Sequence, residues 1–249
     1  MDENLRDIVL GVAAAGVSAS LGWLARTALW RRRLRRKQAF FGLPGNSECL
    51  LVVNREADGD GVHRNDVFAL LELSALIRDC DAHARIVRHD QAQQGFGERT
   101  EFCLGGPYSN QRTQAHLRTL LPGVRVDFEA EPRRVVFHIG PDEYRQEPKT
   151  SEYVLLARLT AGEGERPVFL ICGQSSITNQ AATRYLVRHH EKLARTYKRE
   201  PFVLLLKVVN SEAYGPDVVE LSADITRNAT TPAPIPAPTE PVAAQSPTT

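Results

Sequence analysis

Three observations predict an α/β protein: a Rossmann-like or flavodoxin-like, mainly parallel sheet with inserted antiparallel strands, preceded by one transmembrane helix. The first is a set of short apolar runs, among them CLLVVN at 49–54, PVFLIC at 167–172 and FVLLLKVV at 202–209. These do not alternate apolar with polar residues, so they suit strands covered on both faces. The second is that segments with helical periodicity separate several of the runs, the order expected of parallel strands joined by helical crossovers. The third is Ile8 to Ala25, 18 consecutive uncharged and mostly apolar residues, closely followed by Arg31-Arg32-Arg33-Leu34-Arg35-Arg36-Lys37.

Ile8 to Trp30 contains one charge, Arg26. At about 1.5 Å per residue this stretch is long enough to cross a hydrocarbon core of about 30 Å. Arg26 sits close enough to the end to snorkel toward the headgroups. Trp23 and Trp30 are the only tryptophans in the chain, and indole rings favour the membrane interface. The cationic run follows the apolar stretch, the reverse of a secretory signal. By the positive-inside rule residues 1–7 lie outside and the rest is cytoplasmic, held at the cell membrane by residues 8–30. Gly11, Ala15 and Ala19 fall at the four-residue spacing that lets two helices approach, so a homodimer enters as an expectation. The basic run, in a linker at 31–44, fixes topology and attracts anionic lipid.

The soluble domain is expected over residues 45–227. Cys49 to Asn54 is its first strand, and Val67 to Asp79 a helix capped by Asn65 or Asp66. Ala84 to His89 and Glu101 to Leu104 are the next two strands. Gln111 to Leu121 is a helix, stopped by Pro122-Gly123. Val124 to Phe128, Arg134 to Ile139 and Tyr153 to Leu159 are separated by turn-like segments, the rhythm of antiparallel strands extending the sheet. Pro167 to Cys172 is a buried strand leading into a helix over Thr178 to Lys198. Ala182, Leu186, Leu193 and Tyr197 mark one face of that helix. Phe202 to Val209 is a further strand, and Val218 to Ile225 an edge strand. Residues 228–249 hold six prolines and a single charge, too polar and too proline-rich to bury a core, and are expected to be disordered.

Composition narrows the function classes. Residues 1–37 carry eight cationic and three anionic side chains, and the whole chain nets +1, which leaves the remainder at −4. A mildly acidic domain does not suit nucleic-acid binding. Cys49, Cys80, Cys103 and Cys172 form no CxxC pair, so they read as buried, reduced thiols with no metal and no cofactor. Asp58 and Asp60 with His63 read as a solvated acidic turn. Walker and dinucleotide fingerprints are missing from the sequence. Gly173-Gln174-Ser175 starts like a nucleophile elbow, but Ile177 stands where the closing glycine belongs.

Ligands of open α/β sheets bind beyond the carboxyl ends of the parallel strands. Three loops are predicted to occupy that edge: Asn54 with Asp58-Gly59-Asp60-Gly61, His63, Asn65 and Asp66; Leu104-Gly105-Gly106-Pro107-Tyr108-Ser109-Asn110; and Cys172-Gly173-Gln174-Ser175-Ser176-Ile177-Thr178-Asn179. Glycine permits close backbone approach, helix starts present free N–H groups, and hydroxyl side chains add donors, together a cradle for an anion. The ligand-binding residues expected are Asn54, Gly105, Gly106, Tyr108, Ser109, Asn110, Gly173, Gln174, Ser175, Ser176 and Thr178. Tyr108 would stack on a base, while Asn110 and Gln174 would read polar edges.

These two glycine loops loosely resemble nucleotide-handling Rossmann-like families, the nucleoside deoxyribosyltransferase and LOG-like group and the TIR-like NAD hydrolases. The resemblance implies a nucleotide-like ligand and carries over no catalytic residue. The Gly-Gly-Gly-x-x-Gly-Thr run of the LOG-like group is replaced by Gly173-Gln174-Ser175-Ser176-Ile177-Thr178. The leading expectation is a membrane-anchored, non-catalytic sensor of a nucleotide-like or other anionic small molecule. The alternatives are an enzyme cleaving a glycosidic bond in a nucleotide, with Asp58, Asp60, Asp66, Glu98 or Glu101 as its carboxylate, and a tethered scaffold.

Overall fold

The computed structural model describes residues 2–54, 61–92, 96–160, 162 and 164–232; the side chains of residues 2–6, 8, 9 and 11–14 lie outside that description. Helix α1 runs unbroken from Asp2 to Phe41. Strand β1 (Glu48–Val53), helix α2 (Arg64–Asp79), β2 (His83–Arg88), β3 (Glu101–Leu104) and α3 (Gln111–Leu120) follow. Next come β4 (Val124–Glu129), β5 (Arg134–Ile139), β6 (Asp142–Arg145), β7 (Ser151–Leu159) and β8 (Val168–Gly173). The chain continues through α4 (Ser176–Tyr197), β9 (Phe202–Val209), α5 (Ser211–Tyr214), β10 (Val219–Asp224) and α6 (Thr226–Thr230).

The main sheet has seven strands in the order β10-β9-β7-β8-β3-β1-β2. Strands β1, β2, β3 and β8 pair in parallel, and β9 shares their direction because both it and β8 are antiparallel to β7. Strand β10 closes the far edge antiparallel to β9. The sheet is thus mostly parallel and Rossmann-like, as its uninterrupted apolar strands predict.

Side chains alternate across the pleat, so each strand serves two cores. Leu51 and Val53 of β1, with Phe169 and Ile171 of β8, face a layer built by α2, α4 and the end of α1. Leu50, Val52, Leu170 and Cys172 face the opposite layer, where Leu117 of α3, Phe137 of β5 and Ala229 of α6 pack. All four cysteines are buried free thiols. Ala182, Leu186 and Leu193 of α4 are buried.

Four expectations change. Most of the expected linker 31–44 is helical: α1 continues to Phe41, and Phe40, Phe41 and Leu43 are at most 2% exposed. The Phe41 ring lies 5.3 Å from Phe169 and 5.8 Å from His190. The Phe40 carbonyl accepts from Arg158 Nε at 3.1 Å, and Gln38 Nε2 donates to the Cys80 carbonyl at 2.8 Å. Aromatic residues at the end of α1 thus belong to the domain core. Second, Val124 to Ile139 does not extend the main sheet. Strands β4, β5 and β6 form a separate antiparallel sheet, in the order β4-β5-β6, and only β7 of the expected set enters the main one. Third, α2 starts at Arg64 with His63 in the cap position, so neither Asn65 nor Asp66 caps it. Fourth, Asn228 to Thr230 belong to α6, with Ala229 fully buried and its carbonyl accepting from Gly123 N at 2.9 Å. The remainder of the expected tail, 233–249, lies outside the described residues.

The expected span, residues 8–30, is helical throughout. Among the described residues no helix is long and apolar enough to cross a membrane.

Candidate functional site at the carboxyl edge

Helix α2 leaves β1 on one face of the sheet, α3 leaves β3 on the other, and α4 leaves β8 on the first face again. Neighbouring connections that diverge open crevices at the carboxyl ends of β1, β3 and β8. Asn54, Gly105 and Gly173 stand there. Part of the loop after β1, including Asp58, Gly59 and Asp60, lies outside the described residues.

The glycines are set by close packing of the loops. Gly105 has φ of +110°, and a Cβ there would sit 2.9 Å from the Asn54 Cβ. A Cβ on Gly173 would collide with Thr178 Oγ1 and lie 2.5 Å from Asn179 Oδ1, while one on Gly106 would be 3.4 Å from the Gly173 carbonyl. The two glycine loops therefore lie side by side, but many of their polar groups are spent within their own turns or on neighbouring strands.

Asn110 is buried and caps α3: its Oδ1 accepts from Arg112 N at 2.9 Å and Thr113 N at 3.1 Å, and its Nδ2 donates to the Leu104 carbonyl at 2.9 Å. Gln111 N donates to His89 Nδ1 at 3.4 Å. The start of α3 is thereby satisfied from within. Gln174 is buried too. Its Nε2 donates to the Val135 and Tyr144 carbonyls at 3.0 and 2.8 Å, and its Oε1 accepts from Tyr153 N at 2.7 Å, riveting the small sheet to the main one. Thr178 Oγ1 accepts from Ser175 N at 3.2 Å and donates to the Ser175 carbonyl at 2.8 Å, closing the first turn of α4. Ser109 Oγ donates to the Gly106 carbonyl at 3.2 Å. Tyr108 keeps an exposed ring, its hydroxyl donating to the Val126 carbonyl at 3.1 Å and its ring centroid 6.0 Å from that of Phe128.

What remains converges between α2 and α4 on Asp66, a residue in the first turn of α2 and fully buried. Its carboxylate accepts from Asn54 Nδ2 at 3.0 Å and from Asn179 Nδ2 at 2.9 Å. Asn179 Oδ1 in turn accepts from Gly173 N at 2.8 Å. Burial pushes the Asp66 carboxyl above the usual carboxylate range, against the lowering effect of the two amides and His63. Asn54 Oδ1 is buried without a hydrogen-bond partner among the described residues. At the rim Ser176 Oγ lies 3.1 Å from His63 Nδ1 and 3.3 Å from Asn65 Nδ2. Of the eleven predicted residues, Asn54, Gly105, Gly173 and Ser176 join this constellation; Asn110, Gln174 and Thr178 are held in structural hydrogen bonds. Asp66, Asn179, Asn65 and His63, which belong to the same edge loops but not to the eleven, complete it. Residue type places Asp66 among five candidate carboxylates in the sequence, and no sequence pattern singles it out.

A second cluster has the composition of a metal centre. Glu101, Cys103 and His116 are buried with their ligand atoms mutually within 4.8 Å. However, Arg112 occupies the place of a cation: its Nη2 and Nε donate to Glu101 at 2.8 and 3.1 Å, and His116 Nε2 lies 2.8 Å from Glu101 Oε1. Burial pushes Glu101 up, but His116 and Arg112 outweigh it and hold the carboxyl below its ordinary range. Burial also keeps Cys103 a thiol, pushing it well above the usual range. The cluster reads as a buried ion pair that fixes α3 on β3.

No protein-family model and no curated protein matches this chain.

Proposed function

We propose that the protein is a membrane-tethered sensor whose α/β domain takes a nucleotide-like, polar small molecule at the carboxyl edge, between α2 and α4. One observation carries the reading: a fully buried carboxylate, Asp66, set among Asn54, Asn179 and the Gly173 loop at the carboxyl edge of the sheet. Buried, perturbed carboxylates in such crevices are a feature of ligand sites. Asn54 Oδ1 is left to accept a donor such as a base amino group or a ribose hydroxyl, and Ser176 and Asn65 supply polar contacts at the rim. The exposed Tyr108 ring offers a stacking surface on the neighbouring loop.

Tethering is supported by α1. Leu10, Val17, Leu21, Trp23, Leu24, Leu29 and Trp30 are 55–66% exposed on a helix whose far end is locked into the core. So much uncovered apolar surface calls for a bilayer or a helix partner. With residues 8–30 as the span, the N-terminus lies outside and the domain in the cytoplasm.

A glycosidic-bond-cleaving enzyme is the second reading, favoured by the same raised Asp66 carboxyl. Titration calorimetry of the full chain in neutral detergent against nucleotides, dinucleotides and sugar phosphates tests both. Saturable binding without product, lost in Asp66→Asn, supports the sensor. Product formation abolished by that substitution replaces it with the enzyme, and silence across the panel removes both.

A further inference from the structure

The opposite, amino edge of the sheet carries a crevice that the sensor reading leaves unused. It encloses about 1180 Å³ between the end of α1 and the carboxyl-terminal turns of α2 and α4. Among its lining residues Arg33, Arg36, Arg78, Arg195, Lys198 and Arg199 have no carboxylate partner among the described residues. Lys37 lines it as well and pairs with Asp79 at 3.1 Å. Asp79, Asp81 and Glu191 are the lining acids, so cations outnumber anions even though the domain as a whole is acidic. Trp30 and Leu34 supply an apolar wall on α1.

We infer that this crevice binds the phosphate of an anionic phospholipid headgroup, with the inference resting on the membrane-tether reading of α1. Position argues for lipid. Trp30 marks the interface end of the span, and Phe40, buried in the domain, lies ten residues on, about 15 Å along the helix. The headgroup layer on each side of a bilayer is about 5–8 Å deep. A crevice walled by Trp30 at one end and the domain base at the other therefore opens into that layer. Cations from three helices converge there, and α1 is held in place by the core contacts of Phe40 and Phe41, so the cationic wall is preorganised. Polybasic segments at a cytoplasmic leaflet attract anionic lipid; here the added feature is a concave site that includes the end of α4.

Trp30 is a built-in reporter. The full chain carrying Trp23→Phe, in neutral detergent, is titrated with short-chain phosphatidic acid, short-chain phosphatidylcholine or inorganic phosphate while Trp30 emission is followed. A saturable response to phosphatidic acid, absent with phosphatidylcholine, is expected. Arg195→Gln with Lys198→Gln should weaken it about tenfold or more, whereas Arg188→Gln with Lys192→Gln, the same charge change on α4 away from the crevice, should weaken it less than about twofold. Equal losses in the two pairs, or no saturable response, overturn the site. Inorganic phosphate binding as tightly as phosphatidic acid overturns the lipid assignment. Alkaline extraction of membranes separates this from the tether: a chain retained in the membrane without a Trp30 response loses the crevice and keeps the tether. A chain that is extracted yet still saturates with phosphatidic acid loses the tether while the crevice stands.

Discussion

The two edges of the main sheet are built from opposite chemistry. At the carboxyl edge, short polar side chains turn inward: Asn110, Gln174, Thr178 and Asn179 each hold neighbouring backbone, and the polar centre is one buried carboxylate. At the amino edge, long cations at the ends of three helices stand open around a wide crevice, over an aromatic core formed by Phe40, Phe41 and Phe169. Short amides close a loop because their donors and acceptors reach only their neighbours. Arginine and lysine stems carry charge beyond the helix surface, where a carboxylate or a phosphate must be brought to them. A compact edge that leaves a buried acceptor unpartnered among the described residues suits recognition of one small molecule; an open cationic edge suits an extended anionic surface.

The largest expected effect comes from the amino edge. Phe41→Ala removes a fully buried ring and should cost about 3–5 kcal/mol, read by urea unfolding of the full chain in neutral detergent. Leu21→Ala, on the same helix but 62% exposed there, should change domain unfolding by less than about 0.5 kcal/mol. Similar losses from the two would dissolve the division of α1 into a core-packed end and an exposed arm.

Arg112→Ala leaves Glu101 buried with His116 as its remaining partner and should cost about 3 kcal/mol. The sign with pH follows from the depressed Glu101 carboxyl. The contribution is present above the ordinary glutamate range and is lost as pH falls through the lower folded value, so the wild-type advantage over Arg112→Ala should shrink on acidification. An advantage that grows as pH falls would break this.

Asp66 behaves in the opposite sense. Its raised folded pKa means that its stabilising contribution belongs to the protonated form, present below about 3.9 and lost as pH rises through the folded value. At neutral pH Asp66→Asn should therefore shift stability by no more than about 1–2 kcal/mol while abolishing ligand binding. Loss of folding at neutral pH would make the residue a structural rivet. The smallest effect is chemical: burial pushes Cys49 up to about 12 and Cys80 up to about 11, so a thiol reagent should label these cysteines only on unfolding.

Much of this was legible in sequence. The strands with continuous apolar runs, Glu101 to Leu104 and Phe202 to Val209, lie where the pattern puts them, because burial on both faces leaves one reading. Strand β6, DEYR, carries three charges and one half-buried residue, so it has no apolar signature to detect. The core role of Phe40 and Phe41 was hidden because the basic run before them reads as a boundary. At the site, Gly105 and Gly173 were recognisable as glycines at strand ends. Asn110 is consumed by capping its own helix, a local pattern, whereas the loss of Gln174 depends on contacts with β5, β6 and β7, which no local pattern encodes.

The two-edge account is tested most directly by hydrogen exchange of the full chain reconstituted in vesicles containing anionic lipid, compared with neutral detergent. The account predicts added protection at Arg33 to Lys37 and at Ala194 to Arg199, with the loops at Gly105 to Asn110 and Gly173 to Thr178 unchanged. Protection by the membrane at those two loops, with none at the end of α4, would contradict it.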